Sequence, residues 1–197
     1  PKLNKKFQLP AIPSAEDEMI QLALFSGVSK ENIFLNNQAT KNIFLSKLNQ
    51  PTKRFAIGTH SVSFDPKNNI FQPSLLFAGE DSILSAADII NTKIFSEIIL
   101  LTSCNTVQAV NNYNFTLLPR SFLVAGSNSV LFSNWNIESI STSNISKGIF
   151  KNLWMNDDLS IEESLRISVM ESLKNTDSIE QTHPKFWAGI AIAYGNI

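Results

Sequence analysis

One cysteine and two histidines are all the thiol and imidazole that the 197 residues carry. A lone cysteine excludes an intrachain disulfide, and one Cys with two His is too few for a closed structural zinc site. Charge is scarce as well, at 17% of the chain against the ~25% usual in soluble domains. Lys and Arg number 16 and Asp and Glu 17, a formal net charge of −1. No basic field exists to hold nucleic acid or an anionic membrane surface. The longest nearly apolar stretches, Ile94–Leu101 and Phe186–Tyr194, fall far short of the ~18–20 residues of a membrane span. No phosphate-cradling glycine loop, HExxH motif or carboxylate cluster appears, and no internal repeat of about 20–50 residues. No metal or cofactor is expected. The opening PKLNKKF has neither an initiator Met nor an apolar signal core, which reads as a piece of something longer.

What is present is apolar and regularly spaced. Hydrophobic residues make up 43% of the chain, enough for one sizeable core, and the length matches one domain of ~150 residues plus a short extension. Residues 1–14, with their prolines and lysines, read as an extended lead-in. Glu16, Asp17 and Glu18 precede an apolar run that stops at Gly27, the punctuation of a helix over about 15–26. Asn32–Leu35 reads as a short strand. Residues 39–49 place Ile43, Phe44, Leu45 and Leu48 at helical spacing, and Pro51 stops them.

Strand and helix then alternate. Arg54–Thr59 reads as a buried strand ending on His60, and Ser74–Ala78 as a short strand or hairpin edge. A short helix over 85–91 has Ser85 as its N-cap. Glu97–Ser103 (EIILLTS) is a continuous apolar strand of the kind covered on both faces. Further helices are expected over 115–125, 142–154 and 160–174, the last opened by a capping box of Ser160 and Glu163. Strands are expected over 129–133 and 186–194. The alternation predicts an α/β three-layer sandwich, a mainly parallel sheet with helices on both faces.

Functional groups of such a sheet gather beyond the carboxyl ends of its strands. His60 follows the first strong strand and Cys104 the EIILLTS strand. If those strands are neighbours, the two residues leave the same sheet edge as a minimal nucleophile and base. A thiol of pKa ~8.5 is only partly ionised at neutral pH, and an adjacent imidazole takes its proton or stabilises the thiolate. The plain alternatives stay open at this point: a buried cysteine acting as a small hydrophobe, and a histidine satisfied by backbone. A flavodoxin-like or Rossmann-like binding domain would need a phosphate cradle after its first strand, and none is present.

The segments FAIGTHS at 55–61 and ILLTSCNT at 99–106 resemble the two signature segments of the CHAT domain, a caspase-like cysteine-peptidase family often fused to tetratricopeptide repeats. LLPRSFLVAGSNSVLFSNW at 117–135 and THPKFWAGIAIAYG at 182–195 are similar to later stretches of the family, in family order. His60 and Cys104 lie 44 residues apart (104 − 60), near the ~50 of the caspase pattern. The resemblance implies a caspase-hemoglobinase-like fold over 15–197, lacking part of its N-terminal region. It implies a cysteine endopeptidase with His60 as general base, Cys104 as nucleophile, and the backbone N–H groups of Ser61 and Cys104 as oxyanion donors. Protein or peptide substrates, an upstream repeat or regulatory domain, and a cytoplasmic location go with that reading.

Departures from the family pattern are Ser61 for the glycine after the histidine, Ser103 and Asn105 around the cysteine, Asn134, and the glycine-free VQAVNNYN after the cysteine. Ser61 would be strained if its backbone had to take positive φ. These departures motivate a second reading, a catalytically weak or inactive interaction module. Glu80 and Asp81 sit in a loop; as loop carboxylates they read as solvated, with contact to a basic side chain in the cleft as the functional alternative. His183, Trp135 and Trp154 read as packing residues, and Asp157 with Asp158 as a solvated turn.

Overall fold

The computed structural model describes residues 13–62, 65–102, 117–134, 139–176 and 178–195. Helix α1 runs over Pro13–Ser26, α2 over Lys41–Leu48, α3 over Ala86–Ile90, α4 over Leu117–Val124, α5 over Ser139–Met155 and α6 over Ile161–Lys174. The strands are β1 Thr52–Ile57, β2 His60–Val62, β3 Ser74–Leu76, β4 Ile83–Ser85, β5 Ser96–Leu101, β6 Ser129–Ser133 and β7 Ile190–Tyr194. Among the described residues the main sheet has the order β1-β5-β6-β7. β1, β5 and β6 are parallel, and β7 is antiparallel to β6.

The sheet is the middle of three layers, and the pleat explains how. Ile99 and Leu101 of β5, with Val130 and Phe132 of β6, pack into a cluster with Phe44 and Leu48 of α2, Ile89 of α3 and Phe122 of α4. Leu100 and Leu131 point the other way, to Leu22 of α1, Ile145 and Ile149 of α5 and Ile161 at the start of α6. Alternate residues of both strands are thus buried on opposite faces, as a continuous apolar run requires. Phe122 is fully buried, and burial of such a side chain contributes roughly 1.5–3 kcal/mol.

Several local expectations meet a different outcome. Residues 33–35 form no strand; they lie between 3₁₀ turns at Lys30–Asn32 and Asn36–Gln38. Among the described residues no strand pairs with them there, and Phe34 instead lies under the Lys47 ammonium at 5.5 Å. Pro13 and Ser14, assigned to the lead-in, belong to α1. The final strand starts at Ile190, because Pro184–Phe186 forms a 3₁₀ turn ahead of it. Ser160 does accept from the Glu163 N–H at 3.2 Å. Both Glu163 oxygens, however, hold Arg166 at 2.6 and 2.7 Å, so the reciprocal half of the expected box is replaced by an i,i+3 ion pair. A complete box forms instead at α3, where Ser85 and Asp88 cap each other. The parallel-sheet reading omits a second sheet, antiparallel β2-β3-β4. Its strands are three residues each, too short for a period-2 pattern to show.

Candidate active site

The strand that precedes His60 and the strand that precedes Cys104 are neighbours. β1 and β5 pair in parallel from Thr52↔Ser96 to Ile57↔Leu101, so their carboxyl ends stand level at one sheet edge. The ladder continues one step past the strands: the Thr102 N–H donates to the Ile57 carbonyl at 3.0 Å, and the Thr102 hydroxyl reaches the same oxygen at 3.3 Å. His60 is the third residue after Ile57, and Cys104 is the third after Leu101. Cys104 itself lies outside the described residues, as do Ser103, Asn105 and the VQAVNNYN segment.

His60 opens β2 opposite Leu76 of β3, half-buried, and the Thr59 hydroxyl donates to the Leu76 carbonyl. Ser61 is half-buried and pairs with Leu75. It adopts strand backbone; among the described residues only Asn36 and Asn69 have positive φ without being glycine. Serine is therefore unstrained where the family has glycine.

Because β2 and β3 are antiparallel with His60 facing Leu76, the turn leaving β3 sits at the His60 end of the small sheet. Glu80 and Asp81 are in that turn, both exposed. Asp81 is ion-paired with Lys41 at the start of α2, 3.1 Å away, and the Ala78 N–H donates to the Ala39 carbonyl at 2.9 Å. The turn is thus tied to α2 by one backbone bond and one ion pair.

Beneath the same edge lies a residue that the acidic first turn of α1 concealed. Glu18 is 4% exposed, and its Oε1 has no hydrogen-bond partner among the described residues. Its pKa is pushed up to about 7 by burial, against hydrogen bonds from Ser146 and Thr102 and the charge of Lys147. The usable signal was spacing: Glu18 is one turn before Leu22, on the buried stripe of α1. Gly58 allows this approach. A Cβ there would stand 3.2 Å from Thr102 Oγ1, 3.4 Å from Met19 Cε and 3.5 Å from Ala15 Cβ.

The remaining candidates lie elsewhere. Asp157 is not a merely solvated turn residue: it bridges Lys53 at 2.8 Å and Arg54 at 3.1 Å near the amino end of β1, opposite the His60 edge. The hydrogen bond from Lys53, then that from Arg54, holds its carboxyl below the usual range. Trp154 stacks on Phe150 and carries the Arg54 guanidinium 4.8 Å above its ring. His183 accepts from the Lys185 N–H at 3.2 Å and caps a 3₁₀ turn, and Trp187 donates to the Thr182 carbonyl. Trp135 lies outside the described residues. Among the described residues no group of three His, Cys, Asp or Glu is placed to hold a metal ion. No helix among them is long and apolar enough to cross a membrane.

The sheet order, the three layers and the level exits of β1 and β5 define an α/β protein of caspase-like fold. The family model described as CHAT domain matches residues 2–196; the chain belongs to the CHAT domain family. No curated protein matches the sequence significantly.

Proposed function

We propose that the chain is a cysteine endopeptidase whose dyad is His60 and Cys104. The observation that carries this reading is the parallel pairing of β1 with β5, with a histidine and a cysteine each three residues beyond the strand end, in a chain of a caspase-like family. His60 takes the thiol proton, and the Cys104 thiolate attacks the carbonyl carbon of the scissile peptide. The oxyanion is held by the backbone N–H groups of Ser61 and Cys104. His60 then gives its proton to the leaving amine as the C–N bond breaks. A water molecule, deprotonated by the same imidazole, hydrolyses the thioester, releasing the carboxylate and restoring the thiol. Glu80 and Asp81, at the His60 end of the small sheet, are proposed to meet a basic residue of the substrate. An upstream repeat or regulatory domain and a reducing, cytoplasmic setting complete the proposal; the chemistry calls for no cofactor or metal.

Its test is the pH dependence of Cys104 alkylation by iodoacetamide, in the wild type and in His60→Ala. The lone cysteine makes the readout unambiguous. A midpoint well below ~8.5 that rises in the variant, or a rate that collapses, supports the dyad. Slow alkylation insensitive to His60 overturns it. It would then favour the second reading, a weak or inactive interaction module, for which the glycine-free VQAVNNYN segment speaks; Ser61, being unstrained, no longer does.

A further inference from the structure

Glu18 is the only ionisable residue among the described ones that is buried as a whole, and the chemistry proposed above does not use it. It stands where α1, α5 and the exit of β5 meet. α1 and α5 pack together, Ser146 of α5 and Thr102 after β5 supply hydroxyls to its carboxyl, and Oε1 has no partner among the described residues. A buried carboxyl with an orphaned oxygen is costly in its charged form, and the cost is relieved by protonation.

The proton inventory of Thr102 makes the charge state of Glu18 matter. A threonine hydroxyl has one proton to give and two lone pairs to receive with. Two acceptors compete for that proton, the Ile57 carbonyl at 3.3 Å and the Glu18 carboxyl. While Glu18 is neutral, its own O–H donates to Thr102 Oγ1, and the Thr102 hydroxyl is free to donate onward to Ile57. Both exits are then tied through side chains. Once Glu18 is ionised it is acceptor-only, the Thr102 proton turns to the carboxylate, and the side-chain tie to Ile57 is lost. Only Ser103 separates Thr102 from Cys104 in the chain.

We propose that Glu18 is a positioning residue of this site: its neutral carboxyl adds a side-chain tie between the exits of β5 and β1 through Thr102, beside the backbone bond from Thr102 to Ile57, and its ionised form removes that added tie, which changes the reactivity of the Cys104 thiol. This deepens the dyad reading and rests on it for its functional meaning. The groups facing the carboxyl are Ser146 and Lys147 from α5 and Thr102 just after β5; Glu16 and Asp17 on α1 are exposed. Lys147 favours the charged form and burial the neutral one, with burial the larger influence, so the changeover falls near neutral pH.

The experiment measures iodoacetamide alkylation of Cys104 from pH 5.5 to 9 (about the range in which His, Cys and this carboxyl titrate) on the full chain. The variants are His60→Ala, Glu18→Gln, Thr102→Val and Thr102→Ser, with circular dichroism to check folding. The expected profile has a step near pH 7 that survives His60→Ala, which separates it from imidazole titration. Glu18→Gln keeps an N–H donor to Thr102 and loses the step, with Cys104 locked in the low-pH behaviour. Thr102→Val removes the relay and also loses the step, locked in the high-pH behaviour, and Thr102→Ser restores it. A step that disappears with His60→Ala, or that persists in folded Glu18→Gln or Thr102→Val, overturns the proposal. The first of these needs no Glu18 variant to fold. If His60→Ala leaves the rate unchanged while Glu18→Gln removes the step, the positioning role stands and the dyad falls. If His60→Ala slows alkylation and the profile has no carboxyl-dependent step, the dyad stands and this proposal falls.

Discussion

Thr102 donates its backbone N–H to the Ile57 carbonyl at 3.0 Å, one residue beyond the last paired position of β1 and β5. That bond keeps two strands in step at their exits, and the candidate base and nucleophile are each carried on the chain that leaves there. Whatever disturbs the Ile57–Thr102 junction is therefore expected to be felt by the thiol more than by the fold.

Gly58→Ala tests that expectation. The added methyl would stand 3.2 Å from Thr102 Oγ1 and 3.4 Å from the end of Met19. The methionine can give way, being flexible, whereas Thr102 is held by Ile57. A destabilisation of about 1–2 kcal/mol is expected from such overpacking, measured by urea unfolding. Iodoacetamide reactivity of Cys104 should change several-fold under conditions where the variant is still folded.

Stability should depend on pH through Glu18, and the sign follows from its raised pKa. Between pH 4.5, the ordinary value, and about 7, the folded state holds a proton that the unfolded chain has lost. Stability from this group therefore falls as pH rises through that window and stays low above it. The full excursion is on the order of 3 kcal/mol. Glu18→Gln, which cannot ionise, should flatten the dependence and be more stable than wild type at pH 8. Equal slopes of unfolding free energy against pH in the two proteins would remove Glu18 from the account.

Asp81→Asn should leave stability within about 1 kcal/mol, because the Asp81 carboxylate of its ion pair with Lys41 is 72% exposed and well solvated, although the Lys41 side chain is only 17% exposed. If the turn at the His60 end of the small sheet meets a basic substrate residue, the same variant should raise KM for a basic peptide with little change in kcat. An unchanged KM would leave Asp81 as a tether of the turn to α2 and nothing more.

Gly126→Ala should be among the costliest single substitutions. The glycine has φ of +122°, and a Cβ there would stand 2.6 Å from the Ile94 carbonyl oxygen, in the segment that leads into β5. Rigid backbone on one side and a conformation closed to L-residues on the other leave no cheap escape. A loss of roughly 3 kcal/mol or more is expected, read as a fall in Tm. Gly79→Ala shares the positive φ but meets nothing within 4 Å, so it should cost distinctly less.

Elements with local signals follow directly from their residues. EIILLTS is buried on both faces because it has no polar residue at alternate positions over Ile98–Leu101. Ser85 and Ser160 cap their helices because a short hydroxyl side chain reaches the free N–H groups of the first turn. The family was legible too, since FAIGTHS, ILLTSCNT and the later segments stand in family order. Features that depend on pairing between distant parts of the chain emerge only once it is folded. That β1 lies beside β5, skipping three short strands and a helix, is a choice among registers that no local pattern encodes. The strand status of residues 33–35 failed for the same reason: an apolar run becomes a strand only when another strand offers it a ladder. Glu18 reads as an ordinary first-turn acid until α5 and Thr102 close over it. Its unusual chemistry comes from the water that packing removes, and burial of that kind is a property of the assembled fold rather than of the residue.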